Sequence, residues 1–134
     1  MHMKIDHLNL PGLAAPVGFS HVTVAGPGRL VHVSGQVSKD ATGRVIGVGD
    51  LAAQTEKTYA NLHAALEAAG ASFADVIKVV TYVVDLTSDK AALVRTVRNR
   101  FTGNGPYPAS TLVGVTSLVS TDLLIEIEAT AAIA

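Results

Sequence analysis

The segment from Leu123 to Ala132 constrains the fold more than any other, because apolar and polar side chains alternate along it. Its odd-numbered residues are all apolar, whereas its even-numbered residues include Glu126 and Glu128. Successive side chains of a β-strand point to opposite faces of the sheet. The pattern therefore predicts a strand that packs one face on a core and presents carboxylates on the other.

A second strand is predicted at Val76 to Val84, which is nearly continuous in β-branched residues. Both of its alternating sets are apolar, so this strand should be interior and covered on both sides. Two helices can cover only one face of such a sheet. Something else must cover the other face, and a second copy of the chain is the simplest cover. We therefore expect an oligomer.

Two helices are predicted. Asp50 can cap the first, since its carboxylate accepts amide hydrogens of the opening turn, and Gly70 can end it in a left-handed conformation. Thr87 or Ser88 opens the second, and Gly103 and Gly105 close it. Three- and four-residue spacing marks the buried faces: Leu51, Thr55, Tyr59, Leu62, Leu66 and Ala69 on the first helix, and Leu93, Val94, Val97 and Phe101 on the second.

Alternation and turn residues predict four further strands. They are Ile5–Leu10, Ser20–Ala25, Leu30–Ser34 and Ser110–Thr116. The whole chain, residues 1–134, is thus expected to be one α/β domain of the α+β kind. It should have two layers, with a mixed sheet of about six strands and two helices on one face.

Composition narrows the possible functions. The chain has no cysteine, which excludes disulfides, thiolate nucleophiles and sulfur-ligated metals. A net charge of −1 gives no general attraction for polyanions, so no nucleic-acid partner is expected. The longest apolar run is too short to cross a bilayer, and no apolar signal core precedes the first charges. We expect a cytoplasmic protein with neither a membrane nor a nucleic acid as its partner.

Familiar catalytic and cofactor motifs are missing from the sequence. It has no glycine-rich phosphate loop and no nucleophile elbow. The five histidines include no pair at helical spacing, so neither a metal nor a cofactor is predicted. His32 is interpreted as a hydrogen-bonded sheet residue and His63 as a solvated one. His21, at a strand edge beside Phe19, could serve a pocket or face water.

Two groups of charged residues admit more than one interpretation. Glu126 and Glu128 should lie on the face that a partner covers, where a bare carboxylate would be costly. Each could form a salt bridge between subunits, or line a wet pocket between subunits and carry a proton. Arg95, Arg98 and Arg100 on the second helix could form a basic patch for RNA. A solvated helix face is the favoured interpretation, since no aromatic platform accompanies them.

From about residue 14 to its end, the sequence resembles the Rid, or YjgF-like, family. The motifs that carry the resemblance are specific in their order and spacing. They are Val31-His32-Val33-Ser34-Gly35-Gln36, Gln54 through Asn61 to Glu67-Ala68-Ala69-Gly70, Asp75-Val76-Ile77-Lys78, Tyr82-Val83-Val84-Asp85-Leu86, Tyr107-Pro108-Ala109 and Ile125-Glu126-Ile127-Glu128-Ala129.

The resemblance implies a chorismate-mutase-like homotrimer with ligand clefts between subunits. Deaminase members of the family hydrolyse enamines or imines to a carbonyl compound and ammonia without metal or cofactor. Glu126 matches the family glutamate thought to place water, and Gly35 matches a turn that lines the cleft. Ser110 stands where deaminases have a carboxylate-binding arginine. Phe19 replaces a tyrosine, and Leu112 replaces a small polar residue or cysteine.

Because Ser110 offers one neutral hydroxyl in place of a five-donor cation, the departure from the deaminase pattern affects binding most. Two hypotheses remain open. The chain is a hydrolase of the C=N bond in which Glu126 orients water, or it is a trimer that binds a small metabolite without turnover. Ribonuclease activity, sometimes claimed for the family, is a third and weaker hypothesis, because the charge balance argues against it.

Overall fold

The computed structural model describes residues 3–134, so His2 lies outside the described residues. Within this range, six strands and two α-helices follow one another. Their bounds are β1 Ile5–Leu8, β2 Val22–Ala25, β3 Arg29–Val37, α1 Leu51–Ala68, β4 Val76–Val84, α2 Ser88–Thr102, β5 Ala109–Val115 and β6 Ile125–Ile133. A short 3-10 turn, Phe73–Asp75, precedes β4.

The strands form two sheets. β1 and β2 make an antiparallel pair, and the other four strands lie in the order β3-β6-β4-β5. Only β4 and β5 run parallel within the larger sheet, which makes it mixed. The predicted α+β fold with six strands and two helices is confirmed, and β4 is an interior strand as its two-sided apolar pattern indicated.

The strand ends differ from the predicted ones where side chains bind the backbone. β1 stops at Leu8 because the amide of Leu10 donates to Nδ1 of His21 (3.0 Å). β2 starts only at Val22, since the amide of His21 donates to the side-chain oxygen of Asn9 (3.0 Å). Hydrogen bonds from side chains to the backbone compete with the pairing of strands. They produce no alternating pattern in the sequence, so the alternation of apolar and polar residues does not reveal where such a strand ends.

The β1–β2 pair joins the larger sheet through individual bonds. The hydroxyl of Thr23 donates to the carbonyl oxygen of Ile77 (2.7 Å). Ser20 forms an isolated parallel bridge with Ala109. The six strands are therefore divided two and four between neighbouring sheets, a detail of pairing that alternation alone does not specify.

The core lies between the helices and one face of β6. Four residues of that face, Ile125, Ile127, Ala129 and Ala131, are buried against α1, α2 and β4. Both predicted caps of α1 are present: the Asp50 carboxylate accepts from the amide of Ala53 (3.0 Å), and Gly70 is left-handed. Thr87 caps α2 by accepting from the amide of Lys90 (3.2 Å).

No helix within the described range covers the opposite face of the four-stranded sheet, which we call the open face. It carries Glu126 and Glu128 from β6, beside Tyr82 from β4. Leu30 of β3 is 61% exposed, and Val113 of β5 is also exposed. The open face therefore combines carboxylates with unshielded apolar side chains.

Neither helix of residues 3–134 has the length and apolar character that a membrane crossing requires.

Gln54 of α1 holds together two loops that the sequence places far apart. Its amide nitrogen donates to the carbonyl oxygens of Gly47 (3.1 Å) and Asp122 (2.8 Å). Its side-chain oxygen accepts from the amide of Leu124 (2.9 Å). The side chain is fully buried, so the backbone groups that it binds have little access to replacement water.

We expect Gln54→Leu to lower the free energy of unfolding by about 2 to 4 kcal/mol, because it removes three buried hydrogen bonds at nearly constant volume. Urea unfolding at fixed protein concentration measures the change. Glu56→Ala, an exposed change on the same helix, should alter stability by about 0.5 kcal/mol or less. Equal stability of the Gln54 variant and wild type would contradict the assigned role.

Candidate functional site

The residues singled out from the sequence fall into two groups on opposite faces of the larger sheet. Strand pairing shows why. Glu126 of β6 lies across from Tyr82 of β4, on the open face. Ser110 pairs with Val79, which belongs to the set that packs towards the core. Since Ser110 and Glu126 project from opposite faces, they do not share a pocket within one chain.

Gly35 and Glu126 form the first group and lie in direct contact. The pairing of β3 with β6 shifts register between Val33 and Gln36, a bulge that brings the backbone of Gly35 under the carboxylate of Glu126. A Cβ atom built on Gly35 would overlap that carboxylate. Only glycine at this position leaves the carboxylate where it is.

Asn61 of α1 fixes the β3 side of this pair. Its amide nitrogen donates to the carbonyl oxygens of Val37 (2.9 Å) and Lys39 (2.9 Å), just beyond Gly35. Gln54, two turns earlier on the same helix, binds the amide of Leu124 just before Glu126. One helix thus positions both members of the pair.

Glu126 and its neighbour Glu128 differ in their partners. The hydroxyl of Tyr82 donates to Oε1 of Glu128 at 2.5 Å. This hydrogen bond is the main reason that the pKa of Tyr82 is raised, with smaller contributions from partial desolvation and the negative charges of Glu128 and Glu126. Within residues 3–134, Glu126 has no hydrogen-bond or ion-pair partner in its own chain. Its carboxylate is the one available to a ligand, a water or another subunit.

The second group lines two adjoining cavities on the helix side of the sheet, near edge strand β5. The larger has a volume of about 420 Å³ and the smaller about 190 Å³. Ser110 lines both, while Phe19 and Leu112 line the smaller one. The walls of the larger cavity are mainly apolar and include Leu62, Phe73, Val76, Val79, Phe101, Pro106 and Tyr107.

Tyr59 of α1 also lines both cavities. It is only 3% exposed, and its ring stacks on Phe101 with centroids 5.6 Å apart. Burial raises the pKa of its hydroxyl to about 12, against a smaller opposing effect of the Arg98 charge. The hydroxyl is therefore protonated at neutral pH and can donate a hydrogen bond.

Arg98 is a cation of both cavities, although the sequence favours a solvated helix face for it together with Arg95 and Arg100. Arg95 and Arg100 are exposed, and Arg95 also borders the smaller cavity. Arg98 instead turns inward, where its guanidinium lies 5.2 Å from the centroid of the Tyr107 ring and donates to the carbonyl oxygen of Gly18 (3.1 Å). Its place one residue after buried Val97 was the available signal, since it borders the apolar stripe.

His21 and His32 take structural or surface positions, whereas His63 lines the larger cavity, where its ring stacks on Phe73. His21 accepts from the amide of Leu10 at Nδ1, and its Nε2 lies 2.7 Å from the carbonyl oxygen of Ala14, so both ring nitrogens serve the N-terminal loop. It lines neither of the two cavities. His32 contacts the hydroxyl of Thr130 at 3.3 Å, and His63 pairs with Glu67 at 2.8 Å. Among residues 3–134, no three metal-binding side chains cluster.

Comparison with known proteins places this geometry in a family. The Endoribonuclease L-PSP family model matches residues 12–133. A 2-iminobutanoate/2-iminopropanoate deaminase from Salmonella typhimurium is 39% identical over 106 residues, which cover 78% of this chain and 80% of that protein. A RutC family protein from Pyrococcus abyssi is 38% identical over 104 residues, 78% of this chain and 79% of its own length.

Solved structures agree. A Rid family protein from Yersinia pestis, YyfB, superposes with a TM-score of 0.87 at 39% identity, covering 96% of this chain and 98% of that one. Rv2704 of Mycobacterium tuberculosis, a YjgF/YER057c/UK114 family member, gives a TM-score of 0.66 at 30% identity and covers 97% and 100%. The chain therefore belongs to the Endoribonuclease L-PSP family, which is the Rid or YjgF-like family that its motifs resemble.

Proposed function

We propose that this protein is a cytoplasmic hydrolase that converts a small imine or enamine into a carbonyl compound and ammonia, in clefts between the subunits of a homotrimer. Family membership supports the reaction class, since relatives such as the Salmonella typhimurium protein are named 2-iminobutanoate/2-iminopropanoate deaminases. The observation that carries the proposal is the unpartnered carboxylate of Glu126, held against Gly35.

The chemistry needs a base beside a water molecule and no cofactor. The Glu126 carboxylate takes a proton from water as the water oxygen adds to the C=N carbon, and the nitrogen of the former C=N bond gains a proton. The resulting carbinolamine loses its nitrogen as ammonia and leaves a C=O bond. An enamine first takes up a proton at carbon and loses one from nitrogen, which gives the imine. Atoms and charge balance with water as the only co-reactant.

The two-sided arrangement of the site supports a cleft between chains. Glu126 and Gly35 lie on the open face, whereas Ser110, Leu112 and Phe19 line cavities on the helix side. A ligand can touch both groups only if a second copy brings its open-face carboxylate to the cavity edge of the first. Such packing would also cover the exposed apolar side chains of the open face.

Ser110 determines what the cleft can hold. In place of the family arginine, it supplies one short neutral hydroxyl, and Phe19 supplies a ring without a hydroxyl. A ligand is therefore either neutral or anchored by another cation. The same observation favours a second candidate, a trimer that binds a metabolite without turnover. The two differ in whether a product forms.

Ribonuclease activity is not part of the proposal, although the family model and a Thermotoga maritima relative carry that name. The net charge is −1, and Arg98 turns into the cavities rather than joining an exposed patch. A surface that binds the phosphate backbone needs several exposed cations acting together. Arg95 and Arg100 do not supply that by themselves.

We expect Glu126→Gln to reduce imine hydrolysis about a hundredfold or more, because the amide cannot accept the proton of water. The measurement is ammonium release above the buffer rate, with imines generated in place from amino acids by an amino-acid oxidase and from amines by an amine oxidase. Glu128→Gln, on the same strand and face, should retain near wild-type rates. Absence of turnover by the wild type across this panel would remove the hydrolase and leave the binding trimer.

We expect light scattering at micromolar concentration to give a mass three times that of one chain. The apolar residues of the open face, including Leu30 and Val113, lose their exposure when copies pack together. Replacing both with Lys should weaken the assembly, because it would place charge in the covered seam. A stable monomer for the wild type would contradict the cleft.

We expect two inactive variants to complement each other. Glu126→Gln removes the carboxylate and leaves the cavity side intact, whereas Ser110→Trp fills the cavity and leaves the carboxylate intact. In evenly mixed trimers, about one cleft in four joins two intact halves, so about a quarter of the wild-type rate should return. Native mass spectrometry would verify mixing. Mixed trimers without recovered activity would show that the two halves do not meet.

A further inference from the structure

Arg98 borders both cavities and has no anionic partner among residues 3–134, whereas the exposed Arg95 borders only the smaller cavity. Arg98 is half-buried and lines both cavities together with Ser110 and Tyr59. No carboxylate of residues 3–134 lies within ion-pair distance of its guanidinium. Its charge is met by hydrogen bonds, the Tyr107 ring and solvent but by no counterion, and a small anion entering from solvent would supply one.

The guanidinium is fixed in place but not fully used. Nε and Nη2 both donate to the side-chain oxygen of Asn99, at 3.2 and 3.0 Å, while Nη1 donates to the carbonyl oxygen of Gly18 at 3.1 Å. Of its five N–H donors, two have no acceptor among the described residues, one on each terminal nitrogen. Two donors on neighbouring nitrogens suit the two oxygens of a carboxylate.

The positioning of Arg98 is built by its surroundings. The ring of Tyr107 lies beneath the guanidinium, and Gly18 is left-handed with a φ of 76°. A Cβ at Gly18 would lie 2.8 Å from Nη2. Any side chain at this position would therefore press on the cation, and glycine leaves room for it.

A second polar group in the cavities lacks a partner. Tyr59 is 3% exposed, yet its hydroxyl makes no hydrogen bond within residues 3–134. Among residues 3–134, Thr58 Oγ1 is the buried side-chain polar atom without a partner, so the unpaired Tyr59 hydroxyl reaches the open space of the cavity, where it can donate to a ligand. Ser110 adds another hydroxyl on the same wall.

We propose that Arg98 binds the carboxylate of the ligand, with Tyr59 donating to a ligand oxygen or nitrogen, and that the ligand is a small carboxylic acid with an aromatic or branched apolar body. The cation missing at position 110 is thereby replaced from helix α2. The substrate class that follows is the imine of an apolar amino acid, and this part of the inference rests on the proposed hydrolysis.

The size and lining of the cavity define the body of the ligand. About 420 Å³ lies within the range of small-molecule pockets, of about 300 to 1,000 Å³. Phe73, Phe101 and Val79 offer apolar contact but no charge. A short polar acid would leave these walls uncovered, whereas a phenyl or branched aliphatic group would fill them.

The test compares two molecules of nearly the same shape, hydrocinnamate and its neutral amide, by isothermal titration calorimetry with the intact protein. Wild type should bind the acid more tightly than the amide by about thirtyfold or more. Arg98→Gln should abolish that preference, Arg98→Lys should restore part of it, and Tyr59→Phe should weaken both molecules. Arg100→Gln, an exposed change on the same helix, should leave the preference unchanged.

Equal affinity of wild type for the acid and the amide would overturn the inference, as would no binding of the acid at millimolar concentration. A purely structural role of Arg98 would also overturn it, and would appear as the same preference in Arg98→Gln with lower stability. Binding does not require turnover. If the protein prefers the acid through Arg98 but hydrolyses no imine, the binding site is upheld and the proposed hydrolase function is rejected. If it hydrolyses imines but shows no preference for the acid, the hydrolase function is upheld and the Arg98 site is rejected.

Discussion

The alternation of side chains along β6 is the constraint on which the rest of the structure depends. Ile125 and Ile127 point into the core, so Glu126 between them has to point away from it. Moving the strand by one residue would bury two carboxylates against the helices, which would destabilise the fold. The same alternation that closes the core thus sets a carboxylate on the face that no helix covers.

Much of the fold follows from the sequence because its signals are periodic. Asp50 and Gly70 bound α1 as predicted, and β4 is interior because both of its faces are apolar. The ends of the strands and their pairing are harder to predict from the sequence. They depend on bonds such as that between the Leu10 amide and His21, whose partners are eleven residues apart and show no period.

The candidate site was predictable only in part. Gly35 and Glu126 both belong to the motifs that carry the family resemblance, and the structure brings them into contact. The contact results from a bulge in β3, whose position the sequence does not specify. Arg98 shows the opposite limit. Arg95 and Arg100 are exposed, and the place of Arg98 next to buried Val97 is the one sequence signal that sets it apart from them. Its contacts with Tyr107 and Gly18 depend on three-dimensional packing, which composition does not specify.

Gln54 and Asn61 lie seven residues apart and therefore on one side of α1. Gln54 accepts a hydrogen bond from the amide of Leu124, just before Glu126, and Asn61 donates one to the carbonyl oxygen of Val37, just after Gly35. If α1 shifted slightly along the sheet, both side chains would move their bound backbone segments in the same direction, so the distance between the Glu126 carboxylate and Gly35 would stay nearly the same. Substitutions that alter the packing beneath α1 would therefore move the two residues together and leave their relative geometry unchanged.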